Sequence, residues 1–181
     1  MPRIQPVEIE HADAKTAAML KAVNSKIGMV PNMMSTMAKA PVLLAGYLQL
    51  SETLGQGRLN ARQREIIAIA VARENHCEYC LSAHATIGRG AGLSDADIDH
   101  ARSGNATGTL EQAIARLALQ IARTRAGVSD ADVAKAHQAG LDDGLILEIV
   151  ANVALNVMTN YVNRVADTQV DFPRVQLNSA A

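Results

Sequence analysis

The 181-residue sequence predicts an all-α fold, and three observations carry that prediction. Apolar residues make up 49% of the chain but include one Phe, three Tyr and no Trp, so Ala, Leu, Ile, Val and Met must fill the interior. These residues recur at helical spacing, with no convincing run of strand alternation. Capping residues and helix breakers divide the chain into short lengths with no linker between them. One domain over residues 1–175 is expected, followed by a polar tail over 176–181.

An extended stretch through about Ile9 gives way to a helix near Asp13 to Asn24, which Gly28-Met-Val-Pro31-Asn32 breaks. A short helix follows over Met33 to Lys39, and Pro41 opens another that runs to about Gly55. Asn60 reads as the N-cap of a helix from Ala61 to Asn75, and Cys77 to Arg89 forms the next. The tetrapeptides Ser94-Asp-Ala-Asp97 and Ser129-Asp-Ala-Asp132 each open a helix, one ending near Gly104 and the other at Gly140. Between them Thr109 to Arg125 carries Leu110, Ile114, Leu117 and Ile121 on one apolar face. The longest helix is expected over Asp142 to Val165, with Ile146, Val150, Val153, Val157 and Tyr161 as its stripe. A faint internal repeat lays Asn60–His84 on Asp143–Asp167, matching Glu65 with Glu148, Cys77 with Asn160 and Cys80 with Asn163.

The formal charge of −1 and the lack of a basic block or aromatic-rich stripe argue against a nucleic-acid surface. The N-terminus has no signal-peptide core and no later segment reads as a membrane span, so a cytoplasmic location is expected. In that compartment a cysteine pair is more often catalytic or metal-binding than a structural staple. A bridge closing so short a loop would also add little stability through chain entropy.

The only two cysteines lie in Cys77-Glu-Tyr-Cys80, with His84 one helical turn beyond the second. At a helix start, unpaired N–H groups and the positive end of the dipole favour thiolate over thiol. Cys80 and His84 then share a face at i and i+4, and Cys77 is near enough to trap an oxidised Cys80. A zinc half-site with His76 or His84 is the competing reading. A closed site needs four ligands, however, and no second cysteine pair exists.

Arg64-Glu65 through Cys77-Glu-Tyr79-Cys80-Leu-Ser-Ala-His84 resembles the core signature of the alkylhydroperoxidase D-like group within the carboxymuconolactone decarboxylase superfamily. Gly28-Met-Val-Pro-Asn, Ala40-Pro41, Gly92-Leu-Ser-Asp and Asn160-Tyr-Val-Asn through Pro173 extend the likeness to the peroxidase-related branch. The resemblance implies an all-α alkylhydroperoxidase D-like fold assembled as homo-trimers or homo-hexamers. It also implies a thiol peroxidase that reduces hydrogen peroxide or organic hydroperoxides. Cys80 would attack peroxide, Cys77 would resolve the sulfenic acid, and His84 with Glu65 would relay protons. The reductant would be a dithiol or a protein, dihydrolipoyl-bearing in alkylhydroperoxidase D itself. This chain has Tyr79 where that enzyme has a relay histidine between the cysteines. No metal, flavin or haem is implied, because no Gly-rich nucleotide loop or haem-attachment motif is present. The alternatives are a lactone decarboxylase, by superfamily analogy, and a helical assembly whose thiols sense oxidation without turnover.

The remaining candidates have plainer readings beside the functional ones. Glu65 lies near the face of Ile69, Ala72 and His76 and should point inward, although a Glu early in a helix is commonly solvated. His76 adjoins Cys77 and would either raise the local potential or close the preceding helix. Met29, Met33 and Met37, with Met34 beside them, read first as core and second as an apolar approach for an organic hydroperoxide. Asn152, Asn156, Asn160 and Asn163 form an amide stripe expected to bind helix ends or a neighbouring subunit.

Overall fold

A computed structural model describes residues 1–177, so the last four positions of the expected tail lie outside the described residues. Within it Gln176 and Leu177 accept hydrogen bonds from Arg102 through their carbonyls. After an extended start and one 3₁₀ turn at Ile9–His11, nine α-helices follow among the described residues. They are α1 (Ala14–Ile27), α2 (Asn32–Met37), α3 (Pro41–Gly55), α4 (Ala61–Glu74), α5 (Glu78–Gly90), α6 (Asp95–Arg102), α7 (Thr109–Thr124), α8 (Asp130–Gln138) and α9 (Asp143–Ala166).

Local chemistry explains most of these boundaries. Asp13 caps α1 by accepting from the N–H groups of Lys15 and Thr16, and Gly28, at φ 84°, ends it in the left-handed conformation. Pro41 stands in the first turn of α3, where its missing N–H costs nothing. Asn60 with Gln63, Ser94 with Asp97, and Ser129 with Asp132 each form a reciprocal capping box.

Helix α4 is the centre of the bundle and packs against α5, α6, α7 and α9. Its residues Ile66 to Ala72 are buried without a break, the pattern of a helix covered on every side. Ile66, Ile69 and Ala72 join one core cluster with α1, α2 and α5. Ile67 and Val71 join a second with α7, α8 and α9.

Two expected stripes are corrected. On α7, Ile114, Leu117 and Ile121 are buried, but Leu110 is left exposed in the first turn. On α9 the inward face is Leu145, Ile149, Asn152, Val153, Asn156, Thr159, Asn160 and Asn163, while Val150 and Tyr161 are exposed. The buried face of α9 carries the Asn and Thr side chains while Leu147, Val150, Tyr161 and Val165 face outward, so the spacing of apolar residues pointed to the wrong side. By length and composition α9 could also cross a bilayer, contrary to the expectation that no segment could. In the structure it packs against α3, α4 and α7 instead. The two segments aligned as a repeat differ in form: 143–166 is one unbroken helix, whereas 60–84 is two helices joined at Asn75–Cys77.

Candidate functional site

The turn between α4 and α5 takes very few residues. His76 adopts φ 53°, and the N–H of Cys77 reaches back to the Ala72 carbonyl at 2.9 Å, so α4 ends in a left-handed cap. The next residue, Cys77, is already the N-cap of α5, its Sγ accepting the Cys80 N–H at 3.2 Å. Closing α4 through its backbone is thus what His76 does, and its own side chain is exposed. Cys77 and Cys80 are joined as a disulfide with Cα atoms 5.3 Å apart, and both are buried.

One turn on, His84 Nδ1 donates to Glu65 Oε2 at 2.8 Å, and both side chains are largely buried. The expectation that Glu65 points inward holds, with Ile69 and Ala72 buried along the same helix. Close approach of α5 to α4 makes the contact direct. Gly88, one turn beyond His84, leaves room for Leu93, since a Cβ there would stand 2.8 Å from a Leu93 methyl, whereas its 3.6 Å distance from Glu65 Cβ is ordinary contact.

Cys80, His84 and Glu65 line one cavity of about 190 Å³. Met29, Met33 and Met34 form part of its wall with Tyr47 and Phe172, and Met33 and Met34 also belong to the buried core, as first read. Met37 lies in the core. Helix α9 adds Asn152, Asn156 and Thr159 to the lining as polar groups. Asn152 and Asn156 turn their amide N–H groups back to the carbonyls of Glu148 and Asn152 at 2.8 Å. Burial pushes the Tyr47 phenol up, the Glu65 carboxylate adds to the shift, and a hydrogen bond with Ser51 opposes it.

Tyr79, between the two cysteines, joins α5 to α2. Its hydroxyl accepts the Met33 N–H at 3.1 Å, and its ring meets Phe172 edge-on at 5.8 Å. Burial pushes this phenol far up, keeping it neutral, so Tyr79 clamps α5 to α2. The amide stripe corrects the sequence reading more sharply. Asn160 does accept from Asn75 just past the end of α4, at 2.9 Å, as expected. Asn163, however, donates its Nδ2–H to Cys80 Sγ at 3.3 Å, although 83 residues separate them. No local signal links these positions; the repeat alignment paired them as equivalents rather than as neighbours.

No group of three or more His, Cys, Asp or Glu converges to hold a metal among the described residues. The arrangement can instead place a thiolate at a helix start, beside a buried amide donor and a carboxylate-anchored imidazole, at the end of an apolar cavity.

Residues 41–124 match the carboxymuconolactone decarboxylase family. An alkyl hydroperoxide reductase of Mycobacterium tuberculosis is 31% identical over 93 residues, which are 51% of this chain and 27% of that protein. The chain therefore spans about a quarter of that curated relative's length. Among solved structures, a peroxidase-related protein of Ralstonia eutropha with an alkylhydroperoxidase core superposes with a TM-score of 0.84 at 23% identity, covering 94% of this chain and 92% of that one. A debrominase in complex with 2,3,4-tribromopyrrole superposes with a TM-score of 0.78 at 17% identity, covering 93% and 91%. These two likenesses show the shared fold.

Proposed function

We propose that this chain, whose residues 41–124 match the carboxymuconolactone decarboxylase family and whose fold is that of an alkylhydroperoxidase core, is a thiol-dependent peroxidase reducing hydrogen peroxide or organic hydroperoxides. The observation that carries this reading is a redox-capable cysteine, Cys80, lining the same apolar cavity as a carboxylate-anchored imidazole.

The Cys80 thiolate attacks the terminal peroxide oxygen, the O–O bond breaks, and the departing alkoxide takes a proton from the His84–Glu65 pair. Because Glu65 occupies Nδ1, Nε2 of His84 is the nitrogen left for that exchange. Cys77 then attacks the Cys80 sulfenic acid, water leaves, and the disulfide forms. A dithiol or protein reductant, dihydrolipoyl-bearing if the family likeness extends that far, returns two electrons and two protons. Three methionines and Phe172 along the cavity favour an organic hydroperoxide. A cytoplasmic homo-trimer or homo-hexamer belongs to the same proposal. Leu147, Tyr161 and Val165, all more than half exposed on α9, supply an apolar surface for assembly.

The test is the intact mass and thiol count of reduced protein after a single equivalent of peroxide, followed by repeated reduction with a dithiol. Loss of both thiols as an intramolecular disulfide, with peroxide consumed on every cycle, is expected. Thiols that stay reduced would return the lactone reading, and oxidation without turnover would leave a sensor. Removing His84 or Glu65 should each slow peroxide reduction by roughly 10²-fold, and removing both should cost little more.

A further inference from the structure

The two cysteines of the disulfide line different cavities. Cys80 lines the apolar cavity and Cys77 does not; Cys77 lines a second, wider depression that Cys80 does not reach. That depression, of about 990 Å³, lies between the α4–α5 turn, the end of α9 and the first residues of the chain. It carries Arg3, Arg164, Arg174 and His76 against two carboxylates, Glu78 and Asp167. Arg3 is held in place by donating to the Arg164 carbonyl at 2.9 Å, and Arg174 stands 3.6 Å from Glu78. Three guanidinium groups against two carboxylates leave a positive excess beside Cys77.

Access gives the exchange a direction: each sulfur accepts one N–H, Cys77 from Cys80 at 3.2 Å and Cys80 from Asn163 at 3.3 Å, but only Cys77 lines the depression. An incoming thiolate that attacks one sulfur expels the other, and the sulfur that better bears negative charge leaves faster. Cys80 accepts an N–H from Asn163, which is 3% exposed and whose Oδ1 has no partner. Cys80 also stands in the first turn of α5, so departure as a thiolate leaves it hydrogen-bonded and near the positive end of the helix.

We propose that the reductant reaches the disulfide through this arginine-bearing depression rather than through the peroxide cavity, and that it is a thiol carrying its own carboxylate. Its thiolate attacks Cys77 Sγ, the S–S bond breaks, and Cys80 departs as a thiolate. A second reductant thiol then attacks the reductant sulfur of the mixed disulfide, freeing Cys77. Two electrons enter the protein, the reductant leaves as its disulfide, and the two thiol protons pass to the cysteines or to solvent. Substrate and reductant therefore use separate entrances. The inference rests on the redox reading of the cysteine pair but not on peroxide as the oxidant.

The test uses oxidised protein and no peroxide. Disulfide reduction is timed with mercaptopropionate and with mercaptoethanol, and the rates are compared per thiolate at low ionic strength. The carboxylate-bearing thiol should react roughly tenfold faster. Added salt should erase the preference, as should Arg164→Gln combined with Arg174→Gln, while the mercaptoethanol rate stays. Acid-quenched samples should carry the mixed disulfide on Cys77 and an alkylatable thiol on Cys80. An adduct on Cys80, equal rates for the two thiols, or a preference untouched by salt would overturn the proposal. Failure of the peroxidase reading would show separately, as a disulfide that is reduced normally but not remade by peroxide.

Discussion

At the start of α5 the Sγ of Cys77 takes the Cys80 N–H at 3.2 Å; at the start of α6 the Oγ of Ser94 takes the Asp97 N–H at 3.1 Å. Only the second bond is reciprocated, by Asp97 Oδ2 accepting the Ser94 N–H at 3.0 Å. Sulfur is a weak acceptor, and a cysteine at the third helical position has no carboxylate to send back. Helix α6 is thus fastened by its own first turn. Helix α5 is fastened by what it packs against: buried Leu81, Ala85 and Gly88, and the Tyr79 hydroxyl on Met33. The contrast teaches that α5 gives up a strong cap to put two thiols where a thiolate is favoured, and that tertiary packing offsets the loss.

The strongest break in that comparison is at the thiols themselves. Cys80→Ser should reduce peroxide consumption to background and abolish rapid alkylation near neutral pH. Cys77→Ser should keep an alkylatable Cys80 and one round of peroxide reduction but lose cycling, while its hydroxyl preserves the cap. Alkylation mapped by mass checks both, and the reverse pattern would swap the roles of the cysteines.

Tyr79→Phe tests whether packing holds α5. It leaves the buried Met33 N–H without an acceptor and should cost about 1–3 kcal/mol of stability in denaturant unfolding. A clamp predicts that the pH profile of peroxide reduction keeps its shape; a shifted profile would give Tyr79 a part in proton transfer. Ser94→Ala tests the other side and should cost about 1 kcal/mol with no change in activity.

The smallest effect separates the two identical tetrapeptides that open α6 and α8. Both Asp97 and Asp132 are held below the usual carboxylate range, first by the hydroxyl of their capping serine and then by its backbone N–H. Asp97, brought down to about 2, is also faced by Arg62 at 3.1 Å. A depressed folded value means that its stabilisation is whole above the unfolded value near 3.8 and is lost as pH falls towards 2. Arg62→Gln should shrink that acid-labile part at Asp97 and leave Asp132 unchanged, as read by carboxyl titration in NMR spectra.

These pairs show how far the sequence is readable. Ser94 and Ser129 announce their helices equally well because a cap is made within four residues, and the structure starts both helices where the tetrapeptides place them. Cys77, Cys80 and His84 are legible for the same reason, since register along one helix fixes their neighbours. An inward Glu65 with a partner such as His84 was expected from the face of α4, directly or through water, and only the packing of α5 on α4 made the bond direct.

What escaped the sequence is what crosses between helices. Asn163 on Cys80, Arg62 on Asp97 and Tyr79 on Met33 join positions from 35 to 83 residues apart, and no local preference encodes such a partner. The inward face of α9 was misjudged because its buried side carries amides and a threonine while apolar residues face outward, the reverse of what apolar spacing assumes. By itself the sequence determined the helices, their caps and the reactive cysteine motif, all set by interactions within a turn or two of chain. Tertiary packing decided which side of α9 meets α4, which amide reaches the sulfur, and that Cys77 and Cys80 line different cavities. Burial and cavity shape arise only when separate helices come together around α4.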